Sequence, residues 1–546
     1  MQSFLEKFNF KTKPFPHQQE AFDRFKNHAY FALLADMGTG KTKIAIDISV
    51  YKYLLGLHDR VLVIGPADVH PQWVDEQFPE HCSIDWRGFS YSSDKRIAFI
   101  RAMDKYLMYS KKEPMLSVFT MNYEAFARPA GLKFADQFIR TSNKPPIILV
   151  DEASRIKNPD AKTVKAIKKL RKTYPDSFRC ALTGTPAAKS PVDMWSIYDF
   201  LNPRYMGCSY LAFQQEHSVI FKRTLKVKGR VVKINQCLDH ETYRKIHRLI
   251  YNNKVDGKID PYVIADIRRR FGISEKDFWF VAGSEGFQRF KNIKQLQEKI
   301  APVTFSATKE ECLQLPDKIY KQVELKINKE QQKLIKSLAK HSAATYGGEE
   351  LTIEVKALLG MRVLQICGGF FSHHTDIEGE FDAIPITGKN AKLQYLQEDL
   401  QEIGNQQFIV WAVFSPEIQL IKNTLKAEYS VGILDGSVAK EKRPKIINDF
   451  KQGVLQGLIS HPEVGGYGLN LQASGIQYWY SRSYRTEARL QAEDRSHRIG
   501  VTKSPIYKDL VYNVKWEHAV LQSNKEGKDL NAHFMSEDIN ELFKIL

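Results

Sequence analysis

The residues best suited to chemistry lie in the segment FALLADMGTGKTKIAI, where an apolar run precedes a glycine-broken loop and a helical pattern. Glycines let backbone N–H groups turn toward phosphate oxygens, and the start of a helix adds favourable partial charge. The spacing follows the phosphate-binding pattern G-x-x-x-x-G-K-[ST], except that Ala35 replaces the first glycine. A plain glycine-rich turn is the alternative. The residues expected to hold a nucleotide here are Gly38, Thr39, Gly40, Lys41 and Thr42.

A pair of adjacent carboxylates follows a second apolar run. Residues 147–150 lead directly into Asp151 and Glu152. Phosphoryl transfer needs an acid that holds magnesium, a group that orients water and a cation for the developing charge. Asp151 is suited to hold magnesium together with Thr42, and Glu152 to polarise water as a general base. A solvated loop is the usual alternative, but it leaves the phosphate loop in the same region unexplained.

The required cations occur near the end of the chain, in RLQAEDRSHRIG. On a helix, Gln491, Arg495 and Arg498 share one face at spacings of four and three residues. Arginines that meet a triphosphate contribute on the order of 10³–10⁵ in turnover. A solvated charged helix is the alternative. Because this segment lies far from Lys41 in the sequence, the full site requires two domains to close, as in a motor driven by ATP.

Composition narrows the class of protein. The chain of 546 residues has 43% hydrophobic and 12% aromatic residues, which is typical of several ordinary globular domains. It carries 80 Lys and Arg against 63 Asp and Glu, and this excess of 17 favours a polyanionic partner such as nucleic acid. A merely basic protein is the alternative. The six cysteines form no C-x-x-C pair, so zinc and disulfides are not expected. Neither a secretory signal nor a membrane span is predicted, and we expect a cytoplasmic protein of a bacterial cell or a phage-infected host.

Apolar strand patterns alternate with helical patterns in two regions, which predicts the α/β class with two parallel sheets covered by helices. Between them, FKRTLKVKGRVVKINQ predicts a basic β-hairpin. We therefore predict a first lobe over residues 1–205 and an insertion with the hairpin and helices over 206–320. A helical linker over 321–379, a second lobe over 380–515 and a helical tail over 516–546 complete the predicted organisation.

The motifs together resemble the Swi/Snf-type ATPases of helicase superfamily two, over nearly the full chain. FPHQQEAFDRF looks like the family's opening glutamine motif, and LADMGTGKT, LVDEASRIKN and LTGTPAAKSP are similar to motifs I, II and III. VLVIGPADVHPQW and VFTMNYEAF resemble the next DNA-contacting motifs, while EVGGYGLNLQAS and QAEDRSHRIG resemble motifs V and VI. The resemblance implies two RecA-like lobes, ATP and magnesium as cofactors, and Gln18 as the adenine reader. The compact chain resembles bacterial or bacteriophage members of the family more than nuclear chromatin remodellers.

We therefore expect a DNA-stimulated ATPase that tracks along duplex DNA, as a monomer. A strand-separating or branch-migrating helicase, with the hairpin as its wedge, is one alternative, and RNA stays open as a substrate. A non-catalytic nucleic-acid scaffold is a further alternative, although every charged group needed for hydrolysis is present. The residues expected to meet nucleic acid are Thr120, Tyr123, Lys226, Lys228, Arg230, Gly466, Gly468 and Asn470.

Overall fold

The protein, seen in a computed structural model, divides into two compact units, Met1–Leu313 and Gln314–Leu546. The residues that the structure describes are 8–67, 69–93, 96–109, 115–184, 191–227, 230–238, 240–255, 258–283, 290–312, 315–341, 343–346, 349–352, 356–374, 381–439, 441–465, 471, 474–483, 486–497, 501 and 503–526. No helix within those ranges is both long and apolar enough to cross a membrane.

The first unit is built on a seven-stranded parallel sheet with the order β11-β1-β6-β5-β2-β4-β3. Its strands are β1 Tyr30–Ala35, β2 Arg60–Gly65, β3 Trp86–Ser90, β4 Leu116–Asn122, β5 Ile147–Asp151, β6 Phe178–Thr183 and β11 Thr304–Ala307. Alternate residues of β1 enter two different hydrophobic cores, one on each face of the sheet. Burial on both faces explains why this strand is apolar throughout instead of alternating.

Helices cover both faces of this sheet. They are α1 Pro16–Phe25, α2 Lys41–Leu54, α3 His70–Gln72, α4 Phe78–His81, α5 Arg96–Tyr109, α6 Tyr123–Phe126, α7 Pro129–Ile139, α8 Lys162–Thr173, α9 Asp193–Leu201 and α10 Tyr210–His217. A π-helix, Trp73–Gln77, joins α3 to α4, and a 3₁₀-helix, Ala153–Ile156, follows β5. π-Helical turns are rare and often occur at functional sites.

An insertion precedes the last strand of the sheet. The predicted hairpin is confirmed as the antiparallel pair β7 Ile220–Val227 and β8 Arg230–Cys237. It is followed by α11 His240–Asn252, the short pair β9 Lys254–Val255 and β10 Lys258–Ile259, α12 Pro261–Phe271, α13 Glu275–Ala282 and α14 Ile293–Ile300. A 3₁₀-helix, Ala301–Val303, leads into β11, and α15 Lys309–Cys312 ends the unit. The hairpin and helices α11 to α13 share their own hydrophobic core.

The second unit contains a six-stranded parallel sheet with the order β12-β21-β20-β17-β19-β18. Its strands are β12 Ile319–Leu325, β17 Phe408–Trp411, β18 Val431–Leu434, β19 Gly457–Ser460, β20 Ile476–Trp479 and β21 Ile506–Tyr512. Two antiparallel pairs accompany it: β13 Ala343–Tyr346 with β14 Glu349–Thr352, and β15 Phe370–His374 with β16 Phe381–Pro385. The helices are α16 Lys329–His341, α17 Lys356–Gly368, α18 Ala391–Ile403, α19 Ser415–Leu425, α20 Arg443–Lys451, α21 Pro462–Gly465, α22 Thr486–Ser496 and α23 Lys515–Glu526.

The α/β class with two parallel sheets is confirmed, but two strands extend the sheets beyond the lobe limits expected from sequence. β11 lies within the expected insertion and pairs in parallel with β1 of the first sheet. β12 begins at the end of the expected insertion, lies mostly within the expected helical linker, and pairs in parallel with β21 of the second sheet. Most residues of β12 are exposed, because it is an edge strand, so its sequence lacks the apolar run by which buried strands are found.

Candidate nucleotide site

The phosphate loop lies between β1 and α2, and its backbone requires glycine. Gly38 and Gly40 have φ angles of 82° and 85°, in the left-handed region that side chains disfavour. A Cβ on Gly40 would lie 2.1 Å from Nε2 of Gln18, so a larger residue cannot fit without movement. Gly40 is also the N-cap of α2, which places the positive end of the helix dipole at the loop. The loop geometry therefore fits a phosphate cradle.

Lys41 is directed back across this loop. Its Nζ donates hydrogen bonds to the carbonyl oxygens of Ala35 and Asp36, at 2.8 and 3.0 Å. A Cβ on Gly184, just after β6, would lie 3.4 Å from the same Nζ. The ammonium group thus lies between the loop and the end of β6, where terminal phosphates are expected in a phosphate-loop protein.

Gln18 and its neighbour His17 hold the loop from α1. The Gln18 side chain donates from Nε2 to the carbonyl of Thr39 at 3.0 Å and accepts at Oε1 from the N–H of Phe15 at 3.0 Å. His17 Nε2 lies 2.7 Å from the same Thr39 carbonyl. Both side chains are buried, so α1 fixes the conformation of the phosphate loop. The adenine-reading role of Gln18 stays a prediction.

The acid pair lies at the carboxyl end of β5, next but one to β1 in the sheet. Asp151 is 8% exposed, and its Oδ2 accepts a hydrogen bond from the indole N–H of Trp73 at 2.9 Å. Its Oδ1 accepts from the backbone N–H of Glu152 at 2.9 Å. Because parallel strands end at the same edge, the carboxylate and the phosphate loop share that edge of the first unit.

Glu152 has an unusual backbone that Tyr123 supports. Its φ of 51° and ψ of 55° lie in the left-handed region, which costs a non-glycine residue on the order of 1–3 kcal/mol. The hydroxyl of Tyr123 donates to the carbonyl of Asp151 at 2.5 Å and lies 3.3 Å from the carbonyl of Glu152. Burial, together with the charges of Asp151 and Glu152, raises the pKa of Tyr123 well above its ordinary value. Tyr123 therefore stays protonated and acts as a permanent donor to this turn.

The residues at this edge fit magnesium and a triphosphate in chemical type. They offer an ammonium, the Thr42 hydroxyl, a buried carboxylate and a glycine cradle. Among the described residues, no group of three or more His, Cys, Asp or Glu side chains is arranged to hold a metal ion. Magnesium at nucleotide sites is held by one or two protein groups plus phosphates, so Thr42 and Asp151 satisfy that requirement.

In the second unit, α22 carries Gln491 and Arg495. The helix ends at Ser496, and Arg498 lies outside the described residues. Gln491 is buried, and the carbonyl of Arg495 accepts from the N–H of Leu471 at 3.0 Å. Gln491 and Arg495 thus lie four residues apart on one helix, and their role toward a nucleotide stays a prediction.

Buried ion pairs anchor α22 to the second sheet. Arg489 donates to Glu493 on its own helix and to both carboxylate oxygens of Asp509 in β21, at 2.8 to 3.0 Å. Lys318 and Tyr320 also donate to Glu493, at 3.1 and 2.5 Å. Because buried charges that are fully paired are costly to separate, α22 presents Arg495 from a fixed support.

Comparison with known proteins settles the family. The model of the SNF2-related domain matches residues 24–368, and that of the helicase conserved C-terminal domain matches residues 391–500. The chain belongs to the SNF2 family. The Swi/Snf resemblance predicted from its motifs is thus confirmed.

Individual relatives are distant. The putative ATP-dependent helicase/translocase YwqA of Bacillus subtilis is 25% identical over 488 residues, which cover 86% of this chain and 42% of that protein. An uncharacterized ATP-dependent helicase of Mycoplasma pneumoniae is 22% identical over 527 residues, which cover 94% and 41%. This SNF2 chain thus spans less than half the length of these two relatives. A solved structure, the Sulfolobus solfataricus SWI2/SNF2 ATPase core in complex with dsDNA, is 20% identical with a TM-score of 0.37, covering 100% of this chain and 99% of that chain.

The residues expected to contact nucleic acid fall into three groups in this SNF2 chain. Thr120 and Tyr123 are buried at 0% and 3% exposure, and the Thr120 hydroxyl donates to Ser90 at 2.9 Å and lies 3.1 Å from Nδ1 of His70. Their side chains are therefore engaged inside the first unit instead of forming a surface for phosphates. Lys226 and Arg230 lie on the hairpin beside its turn. Lys228, Gly466, Gly468 and Asn470 lie outside the described residues.

Trp73 is the site residue that sequence reasoning left without a role. It was visible only as the tryptophan of a DNA-contacting motif, and its indole contact with Asp151 spans 78 positions in the sequence. Only the packing of the π-helix against the sheet brings the two together. A tryptophan shortly after an apolar strand could have pointed to a role for Trp73 in the site. That pattern does not identify the acceptor of its indole N–H.

Proposed function

We propose that this SNF2 chain is a DNA-stimulated ATPase that moves along duplex DNA. The observation that carries the proposal is the arrangement at one edge of the first sheet. There the Lys41 loop follows β1, the Asp151–Glu152 pair ends β5, which is next but one to β1, and each is held by hydrogen bonds. Family membership supports the use of ATP, and the formal charge of +17 supports a polyanionic partner.

The roles follow from the chemistry of each group. Lys41 and the loop N–H groups bind the phosphates, and Glu152 takes the proton of the attacking water. Thr42 and Asp151 would hold magnesium, which would supply positive charge beside the phosphates. Tyr123 and Trp73 orient the acid pair, and neither of these two side chains needs to touch the nucleotide.

The second unit is proposed to supply the remaining cations. Gln491, Arg495 and Arg498 match the family's motif VI, whose arginines stabilise charge on the transferred phosphoryl group. The ion-paired support of α22 favours this role, because an arginine finger works only when it is held in place. Under this proposal, the nucleotide-binding site is complete only when both lobes contribute their residues, and hydrolysis lets the lobes separate again.

DNA contact is proposed to be made through the backbone. Gly466, Gly468 and Asn470 of motif V, with Lys226, Lys228 and Arg230 of the hairpin, are the candidates. Such contacts give affinity without sequence readout and depend strongly on salt. For Thr120 and Tyr123 we now propose a positioning role, because their hydroxyls are used within the protein.

ATPase assays with and without duplex DNA test the proposal. We expect duplex to stimulate turnover, and Lys41→Ala and Arg498→Ala each to abolish nearly all of it while DNA binding persists. The double variant Lys333→Ala/Lys336→Ala, on exposed positions of α16, is the matched control for loss of positive charge and should keep wild-type turnover. An ATPase rate that duplex DNA does not change, or that Lys41→Ala retains, would overturn the proposal.

A strand-separating helicase is the second candidate, because the basic hairpin forms a separate two-stranded sheet. Deletion of residues 224–231 distinguishes the two functions. Loss of fork unwinding with retained duplex-stimulated ATPase would favour a wedge, whereas loss of DNA binding on blunt duplex would favour a grip on the duplex. RNA is tested by replacing the duplex in the same assays.

A further inference from the structure

The insertion of the first unit holds most of the charge that makes the chain basic. Residues 217–300 contain 19 Lys and Arg against 9 Asp and Glu, an excess of 10 within a total excess of 17. The segment has its own hydrophobic core, which includes Phe221 of the hairpin and Tyr243, Ile246 and Ile250 of α11. A buried ion pair stabilises the segment, because Nζ of Lys291 donates to the buried carboxylate of Asp277 at 2.5 Å. The basic residues therefore stand on a folded module.

Helix α11 displays these charges in a stripe. Its buried face faces the module's core, while the opposite face exposes Arg244, Lys245, Arg248 and Tyr251. Arg244, Arg248 and Tyr251 are separated by four and three residues, so they line up along one side of the helix. Glu241 is the one acidic residue in the sequence of α11. The outward surface of α11 is thus a basic row that ends in an aromatic ring.

A second exposed tyrosine, Tyr262, lies at the start of α12, beside the C-terminal end of α11. The antiparallel pair β9–β10 joins the end of α11 to the start of α12, and a groove between the two helices is lined by Leu249, Asn253 and Tyr262, among others. Tyr251 is 75% exposed and Tyr262 is 87% exposed. Asp266 also lines this groove, but its carboxylate accepts from Arg269 at 2.8 Å, which reduces its repulsion of an anion.

We propose that the outward face of α11 and the Tyr262 edge of α12 bind a single unpaired strand of nucleic acid, separately from the duplex track. The arginines meet phosphates, and Tyr251 and Tyr262 stack on bases. Exposed rings beside positive charge are how sequence-tolerant single-strand sites are built, because every base offers a flat face. A paired duplex keeps its base faces stacked inside, so it would use the basic row but not the rings. This choice of partner rests on nucleic acid being the ligand of the chain, but not on ATP hydrolysis.

Fluorescence anisotropy of the full chain, without nucleotide, tests the site with labelled oligo-dT and with blunt duplex across a salt series. Tyr251→Ala/Tyr262→Ala should weaken oligo-dT binding by about 25-fold or more, which is about fivefold for each of the two lost stacks, and leave duplex binding unchanged. Arg244→Ala/Arg248→Ala should reduce the salt slope for oligo-dT by about one to two. Circular dichroism melting checks that each variant folds.

The control Lys333→Ala/Lys336→Ala removes two exposed charges from the second unit and should change neither measurement. Equal weakening of oligo-dT and duplex by the tyrosine variant would overturn the stacking site, and so would unchanged oligo-dT binding. Because no ATP is present, these outcomes are independent of whether the chain hydrolyses ATP. An inactive ATPase that still shows the tyrosine effect would reject the motor and retain this site.

Discussion

Tyr123→Phe removes one oxygen atom from the support of the acid pair and leaves the buried ring in place. The lost hydroxyl donates to the carbonyl of Asp151 at 2.5 Å and lies 3.3 Å from the carbonyl of Glu152. A buried acceptor left without its donor costs about 1–3 kcal/mol. The left-handed backbone of Glu152 costs on the order of 1–3 kcal/mol by itself, so the hydroxyl provides an energy of the same size as the strain that it opposes.

We therefore expect Tyr123→Phe to lower kcat by about 5- to 150-fold, since each 1.4 kcal/mol of lost alignment is roughly tenfold. The KM for ATP should change little, because the phosphate loop and Lys41 are untouched. Steady-state ATPase at saturating magnesium and duplex measures both constants, and thermal unfolding measures the loss of stability.

Tyr174→Phe is the matched control in the same unit. Its hydroxyl donates to the carboxylate of Asp136 at 2.6 Å, away from the nucleotide edge, so it should cost stability without lowering kcat. A kcat for Tyr123→Phe within twofold of wild type, or an equal fall in Tyr174→Phe, would show that the hydroxyl does not hold the acid pair in its working position.

Three further variants probe the same structure. Trp73→Phe removes the donor to Asp151 and should raise the magnesium concentration for half-maximal activity by about tenfold, the usual effect of losing a partner of a metal ligand; unchanged magnesium dependence would contradict this. Gly40→Ala should weaken ATP binding more in the wild-type background than in the Gln18→Ala background, because the new Cβ would meet the Gln18 side-chain amide. Equal losses in the two backgrounds would contradict a contact between that Cβ and Gln18. Burial raises the pKa of Glu417 from 4.5 to about 7, so the folded state holds the proton and wild type loses about 3 kcal/mol of stability as pH rises between these values. Denaturant unfolding of Glu417→Gln at pH 5 and 7.5 should lack that slope, and an identical slope would contradict the assignment.

The sequence was sufficient for the parallel sheets, because their central strands are buried on both faces and are therefore continuous apolar runs. The loop and the acid pair could be selected from sequence because their residue types suit phosphate and magnesium chemistry, and their roles stay predictions. The hairpin was predicted from near-alternation of apolar and basic residues, and β7 and β8 confirm it.

The parts that sequence did not provide depend on distant contacts. β12 is an exposed edge strand with polar residues, and β11 is four residues long, so neither gives a strong strand pattern. Thr120 and Tyr123 belong to a motif associated with DNA, yet their burial follows from the packing of β4 and α6. The contact of Trp73 with Asp151 likewise depends on the path of a π-helix, which residue spacing does not reveal.

Single-turnover hydrolysis by Glu152→Gln, with ATP binding measured on the same samples, probes the hydrolytic role of the acid pair at the edge of the first sheet. Loss of a general base should slow the chemical step by about 10²–10⁴-fold, while binding through the Lys41 loop stays within a few-fold of wild type. Hydrolysis at a rate near that of wild type, with ATP still bound, would show that the water is activated elsewhere.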